Sequence, residues 1–182
     1  MSPGVFEVDP LSTSLRDLVL MAGGVTGGAN IKALQPGGPS SAYVTVAQLD
    51  ANLTNESIRE IGSQPGCLAV RVVADNRCMV EEVAGVAAFF AREQCGQCPG
   101  CRMKTSTYST LLGKVVQGAA NWELLGQFAT IDEFVADMPR KCALIDMPTA
   151  PVMSAVEHFR SDFADHIDNG QCSARDVSQP EK

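Results

Sequence analysis

Cys95, Cys98 and Cys101 recur at three-residue intervals in Glu93-Gln94-Cys95-Gly96-Gln97-Cys98-Pro99-Gly100-Cys101-Arg102, and Cys142 lies 41 residues beyond the third. Three thiolates on one short loop reach three corners of an iron–sulfur cubane, and the remaining iron needs a thiolate brought in by the fold. Cys142 is the candidate for that place. A structural zinc site more often pairs two Cys-x-x-Cys hairpins far apart in sequence, which is not this arrangement. A disulfide framework fits less well still. The chain has seven cysteines, an odd number, and its start, Met1-Ser2-Pro3-Gly4-Val5-Phe6-Glu7, carries neither the basic stretch nor the apolar run of a secretory leader. A reducing cytoplasmic compartment is the expectation.

The remaining cysteines read more plainly. Cys67 opens a strand and Cys78 precedes a helical region, where small buried thiols are ordinary; Cys172 falls in a polar tail and reads as a free, oxidisable thiol rather than a ligand. His158 and His166 stand eight residues apart with no carboxylate and nucleophile arranged around them, so packing or surface is the expectation for both. Trp122 and Tyr108 read as packing between helices. Arg102 and Lys104 follow Cys101 and would favour a reduced, more anionic cluster if they face it, or solvate a helix surface if they do not.

These groups must be positioned by the rest of the chain. At 182 residues and 45% hydrophobic composition it can bury one sizeable core or two small ones, and two are expected. No apolar run approaches the roughly 20 residues of a membrane-spanning helix. A net charge of -7 opposes nucleic-acid binding and suits protein partners with basic docking faces. Glu81, Glu82, Asp132, Glu133, Asp137, Asp162 and Asp165 are the carboxylates that could form an acidic face.

The first part reads as short strands around one helix. Val5–Val8, Ile31–Gln35, Tyr43–Val46 and Leu68–Val73 are the strand candidates. Ser12, Thr13 and Ser14 offer caps to a helix carrying Leu15, Leu18, Val19 and Met21, which Gly23-Gly24 stops. The glycines from Gly23 to Gly38 contain neither a Gly-x-Gly-x-x-Gly fingerprint nor a phosphate loop, so they read as turns. From Met79 the period becomes helical. Val80, Val83, Val86, Ala87, Phe90 and Ala91 form a stripe leading into the cysteine loop. A second helix starts near Pro99 and stops at Gly118, and a third runs from Asn121 towards Pro139. A last one carries Val152, Val156, Phe159 and Phe163 on one face.

Ala22-Gly23-Gly24-Val25, Lys32-Ala33-Leu34-Gln35-Pro36-Gly37-Gly38-Pro39-Ser40, Phe89-Phe90-Ala91-Arg92-Glu93-Gln94-Cys95-Gly96-Gln97-Cys98, Cys142-Ala143-Leu144 and His158-Phe159-Arg160 together carry a resemblance. The chain resembles the C-terminal region of the NADH-binding flavoprotein subunit of respiratory complex I, shared with NAD-dependent hydrogenases and formate dehydrogenases. The resemblance implies an α+β fold, with a small β-grasp (ubiquitin-like) domain of the soluble-ligand-binding type over residues 1–78 and a helical 4Fe-4S domain over 79–168, which the periodicity reads as four helices; the polar residues 169–182 have little to bury and are expected to form a disordered tail. It also implies that Cys95, Cys98, Cys101 and Cys142 ligate one 4Fe-4S cluster. Gln94 stands where the family usually has serine, and Met103-Lys104 where it has Glu-Gly. These departures leave the ligands intact and change their surroundings. Family members hold FMN and NADH in a glycine-rich domain upstream, so neither is expected on this chain.

The functional expectation is an iron–sulfur electron carrier that takes single electrons from a separate flavin reductase and gives them to an oxygenase or another redox enzyme. The alternatives are a split subunit of a complex I-like, hydrogenase or formate dehydrogenase assembly, and an interaction module with a structural cluster.

Overall fold

The computed structural model describes residues 3–172, and the chain divides after Arg77 into two compact units. In the first unit the helix α1, Leu15–Met21, is set by a capping box. The Ser14 side chain accepts the Asp17 N–H while the Asp17 carboxylate accepts the Ser14 N–H, so two of the unpaired amides at the helix start are satisfied reciprocally. Gly23, at φ +85°, follows its end. Three strands form an antiparallel sheet in the order β2-β1-β3: β1 is Ile31–Gln35, β2 is Val44–Thr45 and β3 is Arg71–Ala74. Leu15 and Val19 of α1 pack with Leu34 and Val44 of the sheet and with Leu49, Leu53 and Ile58 to make one core.

Several local expectations change here. Residues 5–8 form no strand. The run at Tyr43 is cut to two strand residues because Thr45 caps a 3-10 turn, Val46–Gln48, through a reciprocal bond with Gln48. Leu68 takes a positive φ of 56°, which no strand residue adopts, so β3 starts only at Arg71 and Cys67 lies exposed in the loop before it. The unit has a second helix, α2, Asn55–Glu60, capped by Thr54.

The second unit begins at Cys78. Its first helix, α3, Met79–Glu93, buries Met79, Val80, Val83, Val86, Ala87 and Phe90. These face the long helix α4, Pro99–Val116, whose inward side is Tyr108, Leu111, Leu112 and Val115. Helix α5, Trp122–Val135, is capped by Asn121 and runs unbroken through Thr130. Its Phe128 ring stacks on Tyr108 with centroids 4.9 Å apart. Arg160 lies over the half-buried Trp122 ring at 4.2 Å.

The final helix is divided. α6, Thr149–His158, and α7, Arg160–Asn169, meet at Phe159, whose φ of -121° and ψ of 39° are not helical. Five helices rather than four therefore follow Cys78 among the described residues. Phe159 and Phe163 are buried on both sides of the break, so the apolar stripe survives it and the period alone conceals it. The turn lets Asp162 reach α3, where its carboxylate accepts the Met79 N–H at 2.8 Å. That supplies the helix start with a cap that Cys78 does not provide. Asp162 is thus buried rather than part of an acidic face. At the far end of α4, Gly118 meets the Gly170 backbone so closely that a Cβ there would lie 2.7 Å from it. Cys172, two residues on, is buried, contrary to its reading as a thiol in a solvated tail. The expected disorder of residues 173–182 falls outside the described residues.

Candidate metal centre

Helix α3 ends at Glu93 and the chain turns at once into the cysteine loop. Gly96 has a φ of +74°, open without strain only to a residue lacking a Cβ, and its N–H donates to Gln94 Oε1 at 2.7 Å. Cys98 is then the N-cap of α4, Pro99 fills the first position, where a missing N–H costs nothing, and Cys101 falls in the first turn. The amide-rich, positive end of an 18-residue helix is therefore next to two of the sulfurs, an arrangement that favours negative charge there.

Cys142 arrives from the other side as the N-cap of a 3-10 turn, Ala143–Ile145. Two contacts hold its segment to the loop. Lys141 Nζ donates to Gln97 Oε1 at 3.0 Å, and a Cβ on Gly100 would lie 3.0 Å from Met138 Sδ and 3.5 Å from Ile145 Cδ1. Glycine at position 100 lets the start of α4 press against the residues that flank Cys142. Cys98 and Cys101, each 8% exposed, are packed with Val135 and Ile145, while Cys95 and Cys142 are exposed.

The Cys101 thiol lies within electrostatic reach of the other three cysteines. The Cys101 thiol is raised above its ordinary value first by burial and then by Cys142, Cys98 and Cys95, with Lys104 opposing. Four cysteines drawn to one centre would need cationic compensation once deprotonated. A multinuclear iron group supplies it over a wider span than a single ion, and thiolate is its usual protein donor. The donor set fits an iron–sulfur cluster.

Lys104 is neither solvated nor merely near. It is 4% exposed, with its Nζ 2.8 Å from Asp132 Oδ1 and donating to Thr149 Oγ1 at 2.7 Å. Tyr108 donates its hydroxyl to Asp132 at 2.9 Å, and its own ionisation is raised by burial, with Asp132 adding to the effect. Asp132 consequently belongs to an internal ion pair and leaves the supposed acidic surface. Arg102 is exposed. This buried quartet was not visible in the sequence, although Cys101, Lys104 and Tyr108 share a helical face by their spacing.

A helical domain with this cysteine geometry is of the iron–sulfur-binding class. Residues 81–166, which span all four cysteines, match the family described as NADH-ubiquinone oxidoreductase-F iron-sulfur binding region, and the helical unit of this chain belongs to that family. The chain is 32% identical over 170 residues to an NADH-quinone oxidoreductase subunit of Mycobacterium tuberculosis, a match covering 93% of this chain and 38% of that protein. It is 28% identical to an NADP-reducing hydrogenase subunit of Solidesulfovibrio fructosivorans, covering 94% of this chain and 35% of the relative. The fold is similar to that of an NAD+-reducing [NiFe]-hydrogenase in the H2-reduced state, with a TM-score of 0.69 and 28% identity over 83% of this chain and 25% of the hydrogenase chain. The chain thus spans well under half the length of these relatives. None of its described helices is long and apolar enough to cross a membrane.

Proposed function

We propose that the chain is an electron-relay module in which Cys95, Cys98, Cys101 and Cys142 hold one 4Fe-4S cluster. The observation that carries this reading is the docking of the α4 start, through Gly100, against the segment bearing Cys142. When bound, such a group stores and releases one electron at a time. The chain's residues would tune and shelter it. The α4 amides and the Lys104 ammonium would offset the cluster's negative charge, Val135 and Ile145 keep water from Cys98 and Cys101, and exposed Cys95 and Cys142 leave a short route to a partner.

Electrons would come from a flavin reductase, since no FMN or NAD is expected on this chain, and go to an oxygenase or another redox enzyme. The first unit, with α1 packed on a small sheet, is read as the β-grasp domain. Its setting would be the cytoplasm, where thiols stay reduced. A second reading makes the chain one part of a larger oxidoreductase, and the naming of its relatives as subunits favours it.

The test is anaerobic purification followed by iron and sulfide analysis. About four of each per chain are expected, with bleaching by dithionite and none by NADH alone. Protein lacking labile sulfide, or NADH bleaching with co-purified FMN, would overturn the proposal. A stable complex with a flavin-bearing chain would select the second reading.

A further inference from the structure

Cys78, His166 and Cys172 stand apart from the four-cysteine centre. Their ligand atoms all lie within 4.8 Å of one another and all three residues are buried, at 3%, 2% and 6% exposure. The His166 Nε2 is 3.2 Å from Cys78 Sγ, and Nδ1 is buried with no hydrogen-bond partner. With the proton on Nδ1, the Nε2 lone pair faces the sulfurs and is free to bind a cation. Neither the four-cysteine loop nor any other element of the proposed relay uses these three side chains.

Two thiols and an imidazole, brought this close in an apolar setting, are a poor hydrogen-bonding network. Burial pushes the Cys78 thiol up to about 12, and its hydrogen bond with Cys172 pushes in the same direction. The Cys78 thiol therefore keeps its proton unless a cation replaces it. A divalent cation does so readily, because two thiolates neutralise it while the imidazole donates a lone pair. The donor set is specific: sulfur and nitrogen without carboxylate selects zinc over magnesium or calcium, and a separation under 4.8 Å suits ligands around one ion.

We propose that Cys78, His166 and Cys172 form a mononuclear zinc site, with water or a small exogenous ligand completing the tetrahedron. Its place in the fold supplies its purpose. Cys78 is the first residue of the helical unit, and Cys172 lies beyond the left-handed Gly170 that closes α7. The ion clips the beginning of the unit to its end. Asp162, one turn before His166, already joins α7 to the first amide of α3, so the metal extends an existing seam.

Metal analysis of the full chain, purified anaerobically with its iron in place, tests this. About one zinc per chain is expected in addition to iron, and the Cys78→Ser, Cys172→Ser double variant should lose it while keeping iron, sulfide and visible spectrum. Zinc retained by that variant, or absent from wild-type protein dialysed against zinc, overturns the proposal. So does a Cys78–Cys172 disulfide in protein purified under reducing conditions. Should the variant misfold, wild-type protein decides. Cobalt(II) in place of zinc is expected to give tetrahedral ligand-field bands and thiolate charge-transfer absorption. A chelator should open Cys78 and Cys172 to alkylation and lower the melting temperature. Failure to see cobalt bands, or alkylation indifferent to the chelator, sinks the site whatever becomes of the relay reading.

Discussion

At the start of α4 two sulfurs are buried and two, Cys95 and Cys142, reach the surface, whereas around His166 both sulfurs and the imidazole are enclosed. The first centre is assembled from a glycine-bearing loop and a helix N-terminus, with a buried ammonium close by. The second is assembled from residues that begin and end a folding unit. Exposure on one side is what a site needs to exchange electrons with a partner, and enclosure is what a structural ion needs. On the two proposals, the same kind of side chain would serve both ends because its burial and neighbours differ.

The sharpest way to break this comparison is to remove ligands one at a time. Cys98→Ser and Cys142→Ser should each reduce iron content from about four per chain to near zero, measured by iron assay and visible absorption. Cys67→Ser should change neither. Equal iron in Cys142→Ser and wild type would mean that exposed Cys142 is not a corner of the cluster.

Lys104→Met should be the next largest. It leaves Asp132 without its cation, a loss of about 2–3 kcal/mol in chemical denaturation, below the usual value for a broken buried pair because the Asp132 side chain is 26% exposed. Losing a positive charge near Cys101 should also lower the cluster potential, by about 30–60 mV where 59 mV is a tenfold change for one electron. Adding Asp132→Asn should restore stability and, by removing the opposing negative charge, bring the potential part of the way back. A potential indifferent to both substitutions would show that Lys104 acts only as a structural partner.

Gly100→Ala tests how tightly the open centre is built. The new methyl meets Met138 at 3.0–3.1 Å, and overpacking of this kind costs about 1–3 kcal/mol. A lower melting temperature and faster cluster loss in air are expected. Unchanged values would mean that the Cys142 segment yields freely. The smallest effect concerns docking. Glu81, Glu133 and Asp137 remain exposed, so second-order electron transfer to a basic partner should slow several-fold between about 0.05 and 0.5 M salt, a range over which the screening length contracts below about 10 Å. A flat profile points to a permanent apolar interface.

Much of the helical unit could be read in advance because its signals are local. Pro99, the stripe from Val80 to Phe90, and Gly118 each fix a start, a face or an end by their own chemistry. The cysteine spacing is likewise a local signal, and it is what nominates the first centre. Other features depend on distant partners. Nothing in Glu157-His158-Phe159-Arg160 announces a helix break; it is accompanied by the reach of Asp162 to Met79. Lys104 could be read either as facing the cluster or as surface because its counter-ion lies in another helix. Cys78, His166 and Cys172 are separated by up to 94 residues, and no motif links them. In the first unit, short strands were ended by a capping bond at Thr45 and a left-handed Leu68, neither of which hydrophobic alternation reveals.

Helix α3 starts immediately after Cys78 and stops two residues short of Cys95, so its 15 residues, at a rise of about 1.5 Å each, set the two centres roughly 22 Å apart. On the two proposals, that helix is a rod whose ends would be held by different metals. A divalent ion held by two thiolates and a neutral imidazole carries no net charge, so loading it changes the field at the other end little. Mechanical slack does not cancel in this way, and fraying at Cys78 would travel the length of the rod. The zinc end should therefore be silent in the cluster's voltammogram and audible in its lifetime.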